Sequence, residues 1–232
     1  MSEAIILAGG FGTRLRHVVS DVPKPMAPVD GKPFLHYVLD ALARQGYTHV
    51  VLATGYMHEV IESHFGTAYN GMALSYARET SPLGTGGAIV NAMQHCHDTN
   101  VTVLNGDTLF LADLGRLRLF AAAKATRLAI VLRDVDDAGR YGAVETDDTG
   151  RVIRFREKDP STGPGLINGG IYQIDTTLLA GHNVGTPFSF EKDIMQRQHT
   201  AEAFYAYADN AYFIDIGVPE DYRRAQKELP QL

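Results

Sequence analysis

Leu7-Ala8-Gly9-Gly10-Phe11-Gly12-Thr13-Arg14-Leu15-Arg16, with Pro23-Lys24-Pro25-Met26 close behind, is the stretch from which the fold of this 232-residue chain is read. It begins where an apolar, strand-like segment, Ala4 to Ala8, ends. Glycines at positions 9, 10 and 12 let the backbone turn sharply and bring its N–H groups close to a bulky anion. Arg14 and Lys24 place two positive charges near that anion. A strand, a glycine turn and two cations together point to a triphosphate site built for chemistry on phosphorus. Two standard alternatives fit less well. In a dinucleotide-binding G-x-G-x-x-G frame starting at Gly10, Leu15 falls where a small residue must let the helix approach the strand. A Walker A frame lacks its Lys-Ser/Thr after the glycines, and the prolines flanking Lys24 resist the long helix that both motifs need. A structural glycine turn with surface cations is the plainest competitor.

Outward from this loop, apolar runs of strand length alternate with segments of helical period. The strands expected are Ala4–Ala8, His49–Thr54, Ala73–Ala77, Val101–Leu104 and Leu128–Leu132; the helices are Phe34–Gln45, Met57–Phe65, Gly86–His95 and Leu114–Ala125. Pro33 is expected at the first helical position and Gly46 just past the end. This alternation predicts an α/β fold, a Rossmann-like doubly wound, mainly parallel sheet with helices on both faces, binding ligands beyond the carboxyl ends of its strands. After Asp134 the texture changes. Tyr141–Glu145 and Val152–Arg156 flank the turn Asp147-Asp148-Thr149-Gly150 as a hairpin, further strands fall at Leu166–Ile174, Ala203–Tyr207 and Ala211–Ile214, and Pro219–Leu229 closes as a helix. The length fits a single domain, residues 1–232, with a nucleotide-binding half (1–134) and a second half (135–232) carrying a mixed sheet and lid.

With 45% hydrophobic and 21% charged residues the chain reads as an ordinary soluble protein. A net charge of −6 argues against nucleic acid as the partner, so anionic substrates must be held by a local cationic pocket. No apolar stretch approaches the length of a membrane span. The single cysteine, Cys96, precludes an intrachain disulfide, and the start lacks the pattern of a secretory leader; both lead us to expect a cytoplasmic protein. Oligomeric state is not legible, and a homodimer is compatible with the sequence.

Asp107, in Asn105-Gly106-Asp107, follows the buried-looking strand Val101–Leu104, and Asp215 ends another apolar segment in F-I-D-I-G-V-P-E-D-Y. Mg²⁺ takes one or two protein carboxylates and completes its shell with phosphates and water, a need that two Asp on separate strand ends meet. The competing reading makes Asp107 a turn residue and Asp215 a cap of the last helix. His95-Cys96-His97 is read as structural, because adjacent side chains diverge and no fourth ligand is spaced nearby.

The pattern L-A-G-G-x-G-T-R-L followed by P-K-P-M resembles the signature of the sugar-1-phosphate nucleotidyltransferases, and the similarity runs over essentially the whole chain. Within that family Arg14 to Phe34 most resembles the D-glycero-α-D-manno-heptose 1-phosphate guanylyltransferases, which make GDP-heptose for bacterial surface polysaccharides; His17-Val18-Val19 departs from the R-L-x-P-L-T of many relatives. The resemblance implies a GT-A-like fold, Mg²⁺ on Asp107 and Asp215, and transfer of a nucleotidyl group from a nucleoside triphosphate to a sugar 1-phosphate. Arg14 would neutralise the leaving pyrophosphate, Lys24 the α-phosphate and Lys158 the acceptor phosphate. The nucleotide falls to Leu7, Ala8, Gly9, Gly10, Gly12 and Thr13, and the base to Glu79, Pro82, Gly84, Thr85 and Gly87, where small residues let a purine stack on backbone. Asn105, Tyr141, Gly142, Glu157, Asn168, Gly169 and Glu191 would face the sugar phosphate; Tyr141 equally suits a packed core aromatic. Mannose 1-phosphate guanylyltransferase, a muramate- or glucose-type uridylyltransferase, and a non-catalytic sugar-nucleotide sensor remain the alternatives.

Overall fold

The near-continuous apolar runs that suggest strands buried on both faces assemble into one eight-stranded sheet. The structure is a computed structural model and describes residues 2–10, 21–156, 159 and 163–232. Its strands are β1 (Glu3–Leu7), β2 (Pro28–Val29), β3 (Lys32–Pro33), β4 (His49–Thr54), β5 (Ala68–Tyr69), β6 (Met72–Arg78) and β7 (Asn100–Asn105). They continue with β8 (Thr108–Phe110), β9 (Leu128–Val135), β10 (Val144–Thr146), β11 (Val152–Phe155), β12 (Gly165–Asp175), β13 (Tyr205–Ala208) and β14 (Phe213–Asp215). The α-helices are α1 (Phe34–Arg44), α2 (His58–Phe65), α3 (Gly84–Met93), α4 (Leu114–Lys124) and α5 (Pro219–Glu228).

The main sheet runs β13-β9-β12-β7-β1-β4-β6-β5. The pairs β7–β1, β1–β4, β4–β6 and β13–β9 are parallel, while β12 runs against both neighbours and β5 against β6. Alternation along each strand sends side chains to two cores. In β1, Ala4 and Ile6 join the core beneath α1, α2, α4 and α5, whereas Ile5 joins the one beneath α3 and the π-helical segment Phe190–Gln196. The apolar stripe of α1 (Phe34, Leu35, Val38, Leu39, Leu42) is buried as its period requires. The expected doubly wound sheet with helices on both faces is therefore observed. Among the described residues no helix is long and apolar enough to cross a membrane.

Three local expectations are corrected. Pro33 is not the first helical residue: its ψ of 137° is extended, it pairs with Pro28 in the β2–β3 hairpin, and the helix begins at Phe34, whose N–H is taken by the Ala27 carbonyl at 2.9 Å. Helix α3 begins at Gly84, two residues before the expected start at Gly86. The strand β8 was not anticipated; three residues are too short for a periodic signal, and β8 exists because β14 pairs with it antiparallel, Asp215 opposite Thr108.

Candidate functional site

The carboxyl ends of the parallel strands open on a cavity of about 610 Å³, as the fold leads one to expect. Leu7, Gly9 and Gly10 line it from the end of β1, Gly55 and Tyr56 from the end of β4, Glu79 to Pro82 from the end of β6, and Asn105 and Asp107 from the end of β7. Gly84, Thr85 and Ala88 come from α3, Glu191 from the π-helical segment, and Lys24, Pro25 and Gly217 complete the wall.

Lys24 opens a single 3₁₀ turn, Lys24–Met26, whose Pro25 and Met26 are buried. That anchor aims the lysine inward: its side chain is only 9% exposed, and its Nζ lies 2.5 Å from Asp107 Oδ2 and 3.8 Å from Asp215 Oδ1. The β8–β14 pairing brings the two carboxylates together across 108 positions of chain (215 − 107). The Ile216 N–H, which donates to the Asp107 carbonyl at 3.0 Å, extends that ladder by one bond. Asp215 does not cap α5. Its Oδ1 accepts the Gly217 N–H at 2.6 Å, and the N-cap of α5 is Val218. A Cβ on Gly217 would lie 2.8 Å from Asp215 Oδ1 and 3.0 Å from Lys24 Nζ, so a larger residue there would push these side-chain ends aside.

Two acids that converge on one buried ammonium are a donor set suited to a divalent cation. The lining strengthens that fit. Among the described lining residues Glu79, Asp107 and Glu191 are acidic and Lys24 is the cation. Beside Lys24, a metal on Asp107 and Asp215 would add positive charge for a polyphosphate entering this cleft.

On the opposite wall, Glu79 is half-buried. Burial pushes its carboxyl above the usual value of 4.5, partly offset by the Leu83 N–H that donates to Oε2 at 3.0 Å. Thr85, in the first turn of α3, donates to Glu191 Oε2 at 2.5 Å and accepts the Phe190 N–H at 2.9 Å. Ser189 donates to the same Glu191 oxygen at 3.1 Å and caps the segment by accepting the Lys192 N–H. A Cβ on Gly86 would lie 2.1 Å from the Phe188 ring, so this glycine lets segment 186–190 lie flat on α3.

Of the residues singled out from sequence, Leu7, Gly9, Gly10, Lys24, Glu79, Pro82, Gly84, Thr85, Asn105, Asp107 and Glu191 line this one cavity, and Asp215 adjoins it through Lys24. Ala8 is buried, its N–H on the Ala53 carbonyl, and Gly87 packs under Thr186. Asn168 closes a bulge in β12, donating to the Tyr172 hydroxyl at 2.8 Å and accepting the Gly170 N–H at 2.9 Å, while Gly169 packs on the Phe110 ring. Tyr141 lines a second cavity with Phe213, Arg140 and Asp221, and Gly142 turns behind it. Gly12, Thr13, Arg14, Glu157 and Lys158 lie outside the described residues. Gly55, Tyr56, Ala88 and Gly217 line the cavity without having been singled out, while Thr80 and Ser81 line it within the stretch Glu79 to Gly87 expected over the base. Gly55-Tyr56 directly follows the expected strand His49–Thr54, a positional signal that was available.

Gly9 and Gly10 at the end of the first strand, lining one strand-end cleft with Asp107 and with a lysine that reaches both Asp107 and Asp215, define a class of protein that handles nucleotides and phosphates. The chain belongs to the nucleotidyl transferase family, whose sequence profile it matches over residues 3–231. It is 48% identical over 98% of its length to the D-glycero-alpha-D-manno-heptose 1-phosphate guanylyltransferase of Aneurinibacillus thermoaerophilus, covering 98% of that protein. The enzyme of the same name from Campylobacter jejuni is 41% identical over 95% of this chain and 96% of its own. Among solved structures, HddC from Yersinia pseudotuberculosis complexed with GMP-PN superposes with a TM-score of 0.87 at 35% identity, covering 99% of this chain and all of that one. Members of this family generally use a divalent metal.

Proposed function

We propose that this chain transfers a guanylyl group from GTP to D-glycero-α-D-manno-heptose 1-phosphate, giving GDP-heptose and pyrophosphate for surface polysaccharide synthesis, with Mg²⁺ as its metal. The observation that carries the chemistry is the Lys24 ammonium held between Asp107 and Asp215 at the glycine-lined cleft. The names of the two relatives above support the choice of base and sugar.

In this reading a 1-phosphate oxygen of the sugar attacks the α-phosphorus of GTP in line, and the bond to the bridging oxygen of the β-phosphate breaks. The nucleophile is already an anion, so no strong general base is needed; the obstacle is bringing anions together, which electrostatic positioning must overcome. When bound, Mg²⁺ on Asp107 and Asp215 supplies charge neutralisation at the phosphates. Lys24, fixed by Asp107, is directed at the α-phosphate. Arg14 and Lys158 are assigned to the leaving pyrophosphate and the acceptor phosphate on the strength of the sequence resemblance. The half 1–134 mainly holds the nucleotide and 135–232 mainly the sugar phosphate, with Glu191 and Asp215 reaching back into the nucleotide cleft. The triphosphate substrate and the single cysteine suit a cytoplasmic enzyme.

The test is pyrophosphate release with Mg²⁺, crossing GTP, ATP, CTP, UTP and dTTP with heptose, mannose, glucose and N-acetylmuramic acid 1-phosphates. A clear optimum at GTP with heptose 1-phosphate is expected. An optimum at another pair would overturn the specificity while keeping the reaction. Silence across the grid with tight nucleotide binding would replace the enzyme by a sugar-nucleotide sensor.

A further inference from the structure

At the amino ends of the strands, on the side of the sheet away from the cleft, Glu3 and His49 stand opposite each other in the β1–β4 register. Glu3 is four residues before Leu7, which lines the cavity, a separation of about 13 Å along a strand. The Glu3 side chain is fully buried and that of His49 only 11% exposed. Beside them lies His97, an exposed residue of the connection between α3 and β7. One ligand atom from each of the three lies within 4.8 Å of the others. We propose that Glu3, His49 and His97 form a transition-metal site, fitted to Zn²⁺ and separate from the catalytic cation.

The surroundings are built as a ligand set requires. Glu3 Oε2 is occupied by the backbone N–H groups of His97 at 2.7 Å and Asp98 at 2.6 Å, leaving Oε1 to face the cluster. Those bonds tie the segment carrying His97 to the carboxylate. Burial alone would push the Glu3 carboxyl up, but the backbone bonds and His49 outweigh it and hold the group below its usual value, ionised and able to ligate. His49 Nε2 lies 2.9 Å from Ser75 Oγ, and Nδ1 lies 2.7 Å from Glu3 Oε1. When Nε2–H donates to Ser75, the Nδ1 lone pair and the carboxylate face each other, and a positive species between them, a proton or a metal, makes that approach favourable. Outer partners of this kind orient metal-binding imidazoles and carboxylates. The His97 ring lies over that of His49, with centroids 5.9 Å apart and planes at 25°.

A tetrahedral Zn²⁺ with bonds of about 2.0–2.2 Å sets its ligand atoms about 3.3–3.6 Å apart. Glu3 and His49 must therefore open by roughly 0.6–0.9 Å and His97 swing in, which its exposure permits. Three protein ligands leave the fourth position to solvent. Two imidazoles and one carboxylate favour Zn²⁺ or Co²⁺ over Mg²⁺, which prefers an all-oxygen shell. Cys96 does not contribute. Its thiol turns to the Ala92 carbonyl, and burial first, then the nearby Glu3 and Asp98 charges, push it up to about 12.

The test titrates Zn²⁺ calorimetrically into the full chain in excess Mg²⁺, comparing wild type with His97→Ala, and repeats it with Co²⁺ read by its visible spectrum. His97 is exposed, so the variant should fold, which thermal unfolding in chelator verifies. One Zn²⁺ equivalent is expected in wild type, bound at least about tenfold more weakly in His97→Ala, with a tetrahedral Co²⁺ spectrum that the variant loses. No binding by wild type, or a loss below tenfold in the variant, overturns the site and leaves the cluster a hydrogen-bonded network.

Discussion

Replacing Thr85 by Val isolates the stitch that joins α3 to the π-helical segment packed against it at the cleft wall. Valine keeps the shape but removes a hydroxyl that donates to Glu191 Oε2 at 2.5 Å and accepts the Phe190 N–H at 2.9 Å. A hydrogen bond to a charged acceptor contributes about 1.5–3 kcal/mol and a neutral one about 0.5–1.5 kcal/mol, and Phe190 is fully buried, so its N–H would be left without a partner. The sum is a loss of about 2–4.5 kcal/mol. For a chain of this size each kcal/mol lowers Tm by about 2–4 °C, so Thr85→Val should melt about 4–18 °C below wild type. Differential scanning calorimetry measures this, and steady-state kinetics on the same variant should show KM for the nucleotide rising more than kcat falls, because Thr85 and Glu191 both line the cavity. Thr85→Ser retains the hydroxyl and should recover most of the stability. A Thr85→Val melting point within about 1 °C of wild type, or a serine variant as damaged as the valine, would refute the reasoning.

Glu79 carries a raised pKa through burial, so between 4.5 and its folded value the native state binds more protons than the unfolded one, and stability falls as pH rises through that window. Glu79→Gln should abolish this decline in denaturant titrations taken across it; parallel curves for both proteins would dismiss burial as the cause. Lys24→Met and Arg14→Ala should each lower kcat by roughly 10²–10³, the usual loss for a preorganised charge donor at a transition state, and near-normal turnover of either would remove that residue from the chemistry. Gly86→Ala should destabilise by about 1–3 kcal/mol or more, because its Cβ would lie 2.1 Å from the Phe188 ring. Pairing it with Phe188→Ala should restore part of the loss, and strictly additive effects in that double-mutant cycle would count against the contact.

Much of the architecture was legible because period and burial coincide. The strand His49–Thr54 is observed with the expected bounds, and β1, β6, β7 and β9 lie within a few residues of theirs, since each is an apolar run between polar turns. Short or context-made elements were not legible. β8 is only three residues long and has no period, and the π-helical turn of Phe190–Gln196 follows from the packing of Phe190 and Ile194 under α3. The lining of the candidate cavity was legible where it follows a strand end, as at Gly9, Asn105 and Asp107. It was obscure where a side chain's direction decides, as at Asn168, which closes its own bulge, and Tyr141, which faces a second cavity.

The sequence by itself determined the mainly parallel α/β class, the glycine-rich stretch after the first strand and residue types suited to phosphate, because these depend on local period and on backbone and side-chain chemistry. The resemblance had already paired Asp107 with Asp215, but only the tertiary structure decided how they meet, through β8 and β14, and that Thr85 meets Glu191 at the cleft wall and Glu3 meets His49 and His97 at the far end of the sheet. Those pairings arise from strand register and helix packing between segments 46 to 108 positions apart, separations over which no local propensity carries information.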